Sequence, residues 1–180
     1  MDRPDVSGST LSVGPADHVI GPEHAAVIVV EYGDLECPNC RQAAPAVKIL
    51  LERFKGRVGF AFRHFPLEEV HPHALHAAEA AECAGAQGKF WPMLDMVFEN
   101  QSQLKPQQLR GYAESLALDM ARYDFEMSDH VYLQRVREHM QSGEASGVRS
   151  TPTFFVNGKL QDVSFGLNSL FAAVDAALQA

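Results

Sequence analysis

The sequence of 180 residues predicts an α/β fold in which an all-helical segment is inserted between the second and third strands of the core. Two observations support this prediction. Strand patterns occur only near the two ends of the chain, and the long middle segment has helical patterns throughout. The first two strands enclose a helix, which makes a βαβ unit, and the last two strands are followed by a helix.

The first predicted strand is the apolar run 25–32, which is nearly continuous and β-branched, as expected of a strand buried on both faces. In residues 38–54, apolar side chains recur at the spacing of one helical face. Pro45 lies inside this predicted helix and is expected to bend it. The second strand, 58–65, completes the βαβ unit.

The middle of the chain contains no β-branched run, and its apolar spacing predicts a series of helices. They cover residues 71–86, 91–100, 106–118, 119–127 and 130–146. After them, the strand 153–156 is followed by Asn157-Gly158, a strong two-residue hairpin signal, so residues 159–163 are expected to return as an antiparallel strand. A terminal helix follows.

The predicted organisation has three parts. Residues 17–66 and 148–180 form the α/β core, and residues 67–147 form the helical insertion. Residues 1–16 are rich in Ser, Gly, Pro and Asp and are predicted to be a flexible N-terminal arm.

Composition excludes several classes of function. There are 15 Lys and Arg residues against 23 Asp and Glu, a net charge of −8, which speaks against nucleic-acid binding or a patch for anionic membranes. No stretch approaches the roughly 18 apolar residues of a transmembrane helix, so no membrane insertion is expected. The 3 cysteines cannot make a fully paired disulfide framework.

Cys37 and Cys40 are three residues apart at the junction of the first strand and the first helix. The free N–H groups and the dipole of a helix N-terminus favour a thiolate at Cys37, which would lower its pKa. Cys40 lies one turn later on the buried face. We therefore expect Cys37 to be the exposed attacking thiolate and Cys40 the resolving thiol.

Two other residues attract attention on chemical grounds. Glu31 interrupts the apolar strand six positions before Cys37. If buried, it has a raised pKa and can take a proton from Cys40; alternatively it points to solvent or pairs with Arg63. For the bond before Pro152, the residues alone favour trans, since cis occurs in only about 5–6% of X–Pro bonds.

The combination of strand, Glu31, Cys37-Pro38-Asn39-Cys40 and helix resembles the thioredoxin superfamily. The inserted helices, and the segment Thr-Pro-Thr-Phe-Phe-Val-Asn-Gly at 151–158, resemble the DsbA-like disulfide oxidoreductases within it. The stretches 62–67 and 87–91 are also similar to that family. The resemblance runs from about Asp17 to the C-terminus.

The resemblance implies a bacterial thiol–disulfide oxidoreductase that acts on protein or peptide thiols and disulfides, with a redox partner as electron donor or acceptor. It implies that Cys37, Cys40 and Glu31 are catalytic, and that a cis Pro152 follows Thr151. Thr151, Pro152, Pro38 and Asn39 would contact the substrate.

No metal and no cofactor are implied, apart from a redox-active disulfide between Cys37 and Cys40. The sequence departs from the strongly oxidising members of the family at Asn39, where they have histidine. Asn39 cannot carry a positive charge, and Asp34 and Glu36 add negative charge nearby, which raises a thiol pKa. A reduction potential more negative than about −120 mV is therefore expected.

Two other functions remain open. The chain could be a non-catalytic binding domain with the same fold, or a metal-binding protein that uses the cysteine pair with a histidine. Cys83, in an alanine-rich predicted helix, is expected to be buried and inert.

The polar residues 1–14 lack the apolar stretch of a secretion signal, so a cytoplasmic location is predicted. The alternative is a periplasmic location, if a signal has been removed.

Overall fold

The computed structural model describes residues 11–22 and 24–180. Five strands form one mixed sheet in the order β1-β3-β2-β4-β5. The strands are β1 His18–Ile20, β2 Val27–Gly33, β3 Val58–His64, β4 Thr153–Val156 and β5 Lys159–Gln161. The central strand β2 pairs in parallel with β3 and antiparallel with β4, so it is hydrogen-bonded on both edges.

Seven helices occupy the described part of the chain. They are α1 Pro38–Arg53, α2 Ala74–Gly85, α3 Phe90–Glu99, α4 Pro106–Ser115, α5 Met120–Ser128, α6 Leu133–Ala145 and α7 Asn168–Gln179. Five of them, α2 to α6, lie in the chain between β3 and β4. The predicted α/β fold with helices inserted after the second predicted strand is therefore confirmed.

Side chains alternate between the two faces of β2, as the period of a strand requires. Val27 and Val29 belong to the large core that contains the buried face of α1 and the buried residues of α7. Val30 and Tyr32 belong to a smaller core on the opposite face. By this alternation, Glu31 lies on the face covered by α1.

Helix α2 is the centre of the helical insertion, which explains its alanine-rich sequence. All its residues from Ala77 to Ala84 are buried. Helices α3, α4, α5 and α6 all pack against it. Small side chains let these helices approach one another closely, and the same packing buries Cys83.

Strand β1 was not predicted from the sequence. It has three residues, too few for a recognisable pattern, and exists because it pairs with β3 in an antiparallel register, His18 opposite Phe62. Its neighbour Asp17 accepts hydrogen bonds from Arg63 at 2.8 and 2.9 Å. A long-range pairing of this kind leaves no local signal.

The predicted N-terminal arm falls largely on residues 1–10, which lie outside the described residues. In the described remainder, Leu11 and Val13 pack against the smaller core. The carbonyl oxygen of Ser12 accepts a hydrogen bond from Arg63 at 2.9 Å.

Helix α6 packs against the sheet as well as against α2. At Gly143 in this helix, a Cβ would lie 2.8 Å from the ring of Phe65, so glycine allows the close approach.

The predicted boundaries of core and insertion stay predictions. None of the described helices is long and apolar enough to cross a membrane.

Candidate active site

Cys37 is the residue immediately before α1 and has an extended backbone conformation. Pro38 occupies the first turn, where the missing N–H of proline is no loss because those N–H groups have no partner within the helix. The thiol of Cys37 donates a hydrogen bond to the carbonyl oxygen of Thr151 at 3.4 Å. Cys37 thus lies between the helix N-terminus and the segment before β4.

The surroundings of Cys37 lower its pKa from an ordinary value near 9 to about 5. The hydrogen bond with the Cys40 side chain is the main cause, and burial opposes it. The side chain of Thr151 and the backbone N–H groups of Cys40 and Asn39 lower the pKa further. The N–H groups at the helix N-terminus therefore favour the thiolate as predicted, but the side chain of Cys40 lowers the pKa more.

Cys37 is less accessible than the sequence suggested. Only 5% of its surface is exposed, because it packs against the segment that contains Thr151. The expectation of an exposed thiol is therefore wrong, although the neighbouring Pro38 and Asn39 are exposed.

Cys40 lies on the buried face of α1 and is fully buried. Burial raises its pKa far above the ordinary range, and the hydrogen bond to Cys37 and the charge of Glu31 act in the same direction. The backbone N–H of Asp34, 3.4 Å from its Sγ atom, opposes them weakly. Both cysteines are free thiols, and they differ sharply in acidity.

The peptide bond between Thr151 and Pro152 is cis. Thr151 is buried, and while Cys37 is a thiol the Thr151 hydroxyl makes no hydrogen bond within the described residues. When Cys37 is ionised, its thiol can no longer donate to the Thr151 carbonyl. The free hydroxyl of Thr151 is then available to donate to the thiolate.

Glu31 is buried beneath α1, with 4% of its surface exposed. Burial, followed by the charge of Cys37, raises the pKa of its carboxyl to about 8. It neither points to solvent nor pairs with Arg63, whose guanidinium donates to Asp17 and to the Tyr32 hydroxyl. Glu31 therefore meets the structural condition for a proton acceptor near Cys40.

Asp34 connects both cysteines to the segment that follows β3. Its backbone carbonyl accepts from the N–H of Cys37 at 3.1 Å. Its buried carboxylate accepts from the N–H of Leu67 at 2.8 Å and from Nδ1 of His71 at 2.7 Å. Sequence analysis gave Asp34 no such role, because His71 is 37 positions away in the chain.

Glu36 has a similar partner, since its carboxylate accepts from the backbone N–H of His73 at 2.7 Å and from Nδ1 of that residue at 2.9 Å. The expectation that Asp34 and Glu36 raise the pKa of Cys37 stays a prediction. Each carboxylate is within hydrogen-bond distance of a histidine ring, and the net shift of the Cys37 pKa is downward.

Gln101 is a second residue that sequence reasoning missed. It follows α3 in the helical insertion, and its side-chain amide donates to the carbonyl oxygens of Leu35 at 3.0 Å and Cys37 at 2.9 Å. The helical insertion therefore supplies a hydrogen-bond donor to the backbone around Cys37.

A groove with a volume of about 1510 Å³ begins beside Asn39, Thr151 and Pro152. It continues along the outer side of α1, past Ile49, to the segment around Leu160. Ile49 and Leu160 are each more than half exposed. The groove thus offers apolar contacts next to the cysteine pair.

Outside this site, Cys83 is buried, and burial raises the pKa of its thiol to about 12. Within residues 11–22 and 24–180, no group of three or more His, Cys, Asp or Glu side chains is placed to hold a metal ion.

Among known proteins, the chain is similar to segments of several proteins named as sodium–proton antiporters. It is 48% identical over 161 residues to Na(+)/H(+) antiporter NhaA 1 of Salinispora arenicola, covering 89% of this chain and 24% of that protein. It is 45% identical over 161 residues to NhaA 3 of Salinispora tropica, with the same coverage. The chain thus spans about a quarter of the length of these curated relatives.

Three solved structures share the fold over most of both chains. A thioredoxin-like oxidoreductase from Silicibacter pomeroyi has a TM-score of 0.82 and 26% identity, covering 93% of this chain and 95% of that chain. Wolbachia pipientis alpha-DsbA1 has a TM-score of 0.78 and 20% identity, covering 94% of both. A periplasmic thioredoxin-like protein from Salmonella enterica has a TM-score of 0.77 and 18% identity, covering 95% of both chains.

These comparisons overturn the predicted cytoplasmic location, which is wrong. One structural neighbour is named as periplasmic, the sequence relatives are named as antiporters, and nothing found supports the cytoplasm. The prediction relied on the polar residues 1–14. The chain matches only about a quarter of longer proteins, so its first residues carry no information about location.

The family model described as thioredoxin matches residues 14–176, which is nearly the whole chain. The matched range includes the cysteine pair, Glu31, the helical insertion and the segment around Thr151. This match confirms the resemblance to the thioredoxin superfamily seen in the sequence. The chain belongs to the thioredoxin family.

Proposed function

We propose that this chain is a thiol–disulfide oxidoreductase in which Cys37 is the attacking thiolate and Cys40 the resolving thiol. The observation that supports this most is the difference in acidity within the pair. The pKa of Cys37 is lowered to about 5, whereas burial raises that of Cys40 far above its ordinary value. At neutral pH only one of the two sulfurs is a nucleophile.

In the reductive direction, the Cys37 thiolate attacks one sulfur of a substrate disulfide and displaces the other as a thiolate. The product is a mixed disulfide. Cys40 then loses its proton and attacks the Cys37 sulfur, which closes a Cys37–Cys40 disulfide and releases the second substrate thiolate. The substrate gains two electrons and the cysteine pair loses two. The oxidative direction is the reverse.

Glu31 is the proposed acceptor of the Cys40 proton. Burial raises the pKa of Glu31, and the charge of the Cys37 thiolate raises it further. In the mixed disulfide that charge is gone and only the effect of burial remains, so the pKa of Glu31 is lower and its carboxylate form is more populated at this step.

The proposed substrates are extended protein or peptide segments that carry a disulfide or a thiol. The groove beside Cys37 and Thr151 is long and partly apolar, with Ile49 and Leu160 exposed along it. Pro38, Asn39 and Pro152 would then contact residues next to the substrate cysteine. Partly unfolded chains expose such segments.

Disulfide exchange is tested with reduction of insulin and with refolding of a reduced, disulfide-containing protein, each followed over time. Cys37→Ser is expected to abolish activity. Cys40→Ser is expected to retain an attacking thiolate that accumulates mixed disulfides with the substrate, visible as adducts under non-reducing conditions. Cys83→Ser is the matched control and is expected to have unchanged activity.

Two outcomes would contradict this proposal. If adducts accumulate in Cys37→Ser and not in Cys40→Ser, the two roles are reversed. If the wild-type chain has no activity that depends on Cys37, the chain is a binding domain. Stoichiometric zinc after purification, with loss of the fold on chelation, would instead support the metal-binding alternative.

A further inference from the structure

We propose that Gln101, in the helical insertion, is a positioning residue that stabilises the Cys37 thiolate. This proposal rests on the exchange function proposed above. The Nε2 atom of Gln101 lies 3.0 Å from the carbonyl oxygen of Leu35 and 2.9 Å from that of Cys37. Because both partners are carbonyl oxygens, only the amide NH2 group can make these bonds, so the orientation of the amide is determined.

The backbone around Gln101 is held by its own hydrogen bonds. The Asn100 side chain donates to the carbonyl of Met96 at 2.8 Å, and the N–H of Gln103 donates to the carbonyl of Asn100 at 2.8 Å. The next residue, Leu104, is buried in the large core. Gln101 therefore extends from a fixed turn and can hold the active-site segment in place.

The carbonyl of Cys37 lies in the same residue as the reactive sulfur, and its oxygen carries a partial negative charge. Without a donor, this charge disfavours a thiolate nearby. The amide of Gln101 offsets the charge, beside the N–H of Arg41, which donates to the same oxygen at 3.2 Å.

The same contacts also determine the backbone conformation just before α1. That conformation directs the N–H groups of Cys40 and Asn39 towards the sulfur, and these groups lower its pKa. The carbonyl of Leu35 is held at a second point, two residues earlier. Loss of the Gln101 amide therefore weakens the stabilisation of the thiolate in two ways, through charge and through geometry.

The test is the pKa of Cys37 in the reduced protein, measured from thiolate absorbance and from the pH dependence of alkylation. In Gln101→Met, which keeps the length of the side chain and removes its donors, the pKa is expected to rise by roughly half a unit to one unit. This corresponds to a three- to tenfold lower thiolate-to-thiol ratio at a given acidic pH. Gln103→Met is the matched control, because Gln103 is exposed and two residues away.

Two further variants separate positioning from simple structural support. Gln101→Lys keeps N–H donors and is expected to leave the pKa at or below the wild-type value. Gln101→Glu replaces donors with a negative charge and is expected to raise the pKa above that of Gln101→Met. A structural role alone would lower the thermal midpoint of these variants without this order of pKa values.

Unchanged pKa values in Gln101→Met and Gln101→Glu would overturn the proposal, even if both variants are less stable. If Gln101→Met does not fold, the comparison of Gln101→Lys with Gln101→Glu decides, and equal pKa values in that pair overturn it. Failure of the proposed function gives a different result, namely a wild-type chain without Cys37-dependent exchange.

Discussion

Nδ1 of His71 lies 2.7 Å from the carboxylate of Asp34, which is completely buried under the turn that leads to Cys37. Burial alone lowers the pKa of His71, but the hydrogen bond and the charges of Asp34, Cys37 and Glu36 raise it above its ordinary value. The cationic form of this imidazole is thereby favoured. This histidine comes from the segment after β3 and, when protonated, carries a positive charge that Asn39, within the cysteine motif, cannot carry.

Replacement of His71 by Gln keeps a hydrogen-bonding group and removes the charge. Because the folded-state pKa of His71 is raised, its stabilising effect is complete below about pH 6.5 and is lost as pH rises through the folded-state value. Wild type is therefore expected to exceed His71→Gln by about 1 kcal/mol in free energy of unfolding at mildly acidic pH, with little difference in alkali. Urea unfolding across this range measures it, and a difference that grows with pH would contradict the assignment.

Replacement of Glu31 by Gln is expected to stabilise the reduced protein increasingly as pH rises. The folded-state pKa of Glu31 is raised to about 8, so ionisation of this buried carboxyl destabilises the fold above its ordinary range and fully above about pH 8. The free energy of unfolding is expected to be roughly 3 kcal/mol higher for Glu31→Gln in alkali and similar near pH 4. Urea unfolding at several pH values checks this against the exposed control Glu69→Gln. A gain that does not vary with pH would show that Glu31 keeps an ordinary pKa.

Replacement of Glu82 by Gln is expected to destabilise the protein strongly. This fully buried carboxylate accepts hydrogen bonds from Nε2 of His18 and His64 at 3.0 and 3.1 Å and from Arg135 at 2.8 Å. Removal of its charge leaves these donors without their ionic partner, so a loss of about 3 kcal/mol in the free energy of unfolding at neutral pH is expected.

Thermal and urea unfolding measure this loss, with Glu68→Gln as the matched control. Glu68 pairs with Arg137 at the surface, and such pairs contribute less than about 1 kcal/mol. Equal effects of Glu82→Gln and Glu68→Gln would contradict a strong stabilising role for the buried hydrogen bonds from Glu82 in α2 to His18 in β1 and His64 in β3.

Cys83 is expected to resist modification in the native protein. Its side chain is buried, and burial together with the charges of Glu126, Glu79 and Glu82 raises its pKa to about 12. Alkylation of Cys83 at neutral pH is expected to be at least roughly a thousandfold slower than that of Cys37. Mass spectrometry after timed labelling measures both rates, with a denatured sample as the control. Comparable rates in the native chain would contradict the burial of Cys83.

Local patterns predicted much of the fold. The strand Val27–Gly33, the helix Pro38–Arg53 and the strand Thr153–Val156 follow from β-branched runs, helical apolar spacing and the Asn157-Gly158 turn. In each case the signal lies within the segment itself. The cysteine pair was predicted for the same reason. Both cysteines lie at the predicted N-terminus of one helix, and a helix N-terminus favours a thiolate.

The remaining features depend on residues that meet only in the folded chain. Strand β1 depends on pairing with β3, the partner of Asp34 is His71, and Gln101 reaches Cys37 across 64 positions. The small exposure of Cys37 likewise results from the segment around Thr151, which is 114 positions away. Such contacts reflect the packing of the insertion on the core, and a single sequence carries no local trace of them.

The central claim is that Cys37 is an acidic thiol beside a protonated Cys40, and a titration of the reduced protein tests it most directly. Thiolate absorbance, followed from acidic to alkaline pH, is expected to show one group that ionises near pH 5. Cys37→Ser is expected to remove that step and leave no thiolate at neutral pH, since the pKa values of Cys40 and Cys83 are raised. A first ionisation near the ordinary thiol value, about pH 8.5, would contradict the account.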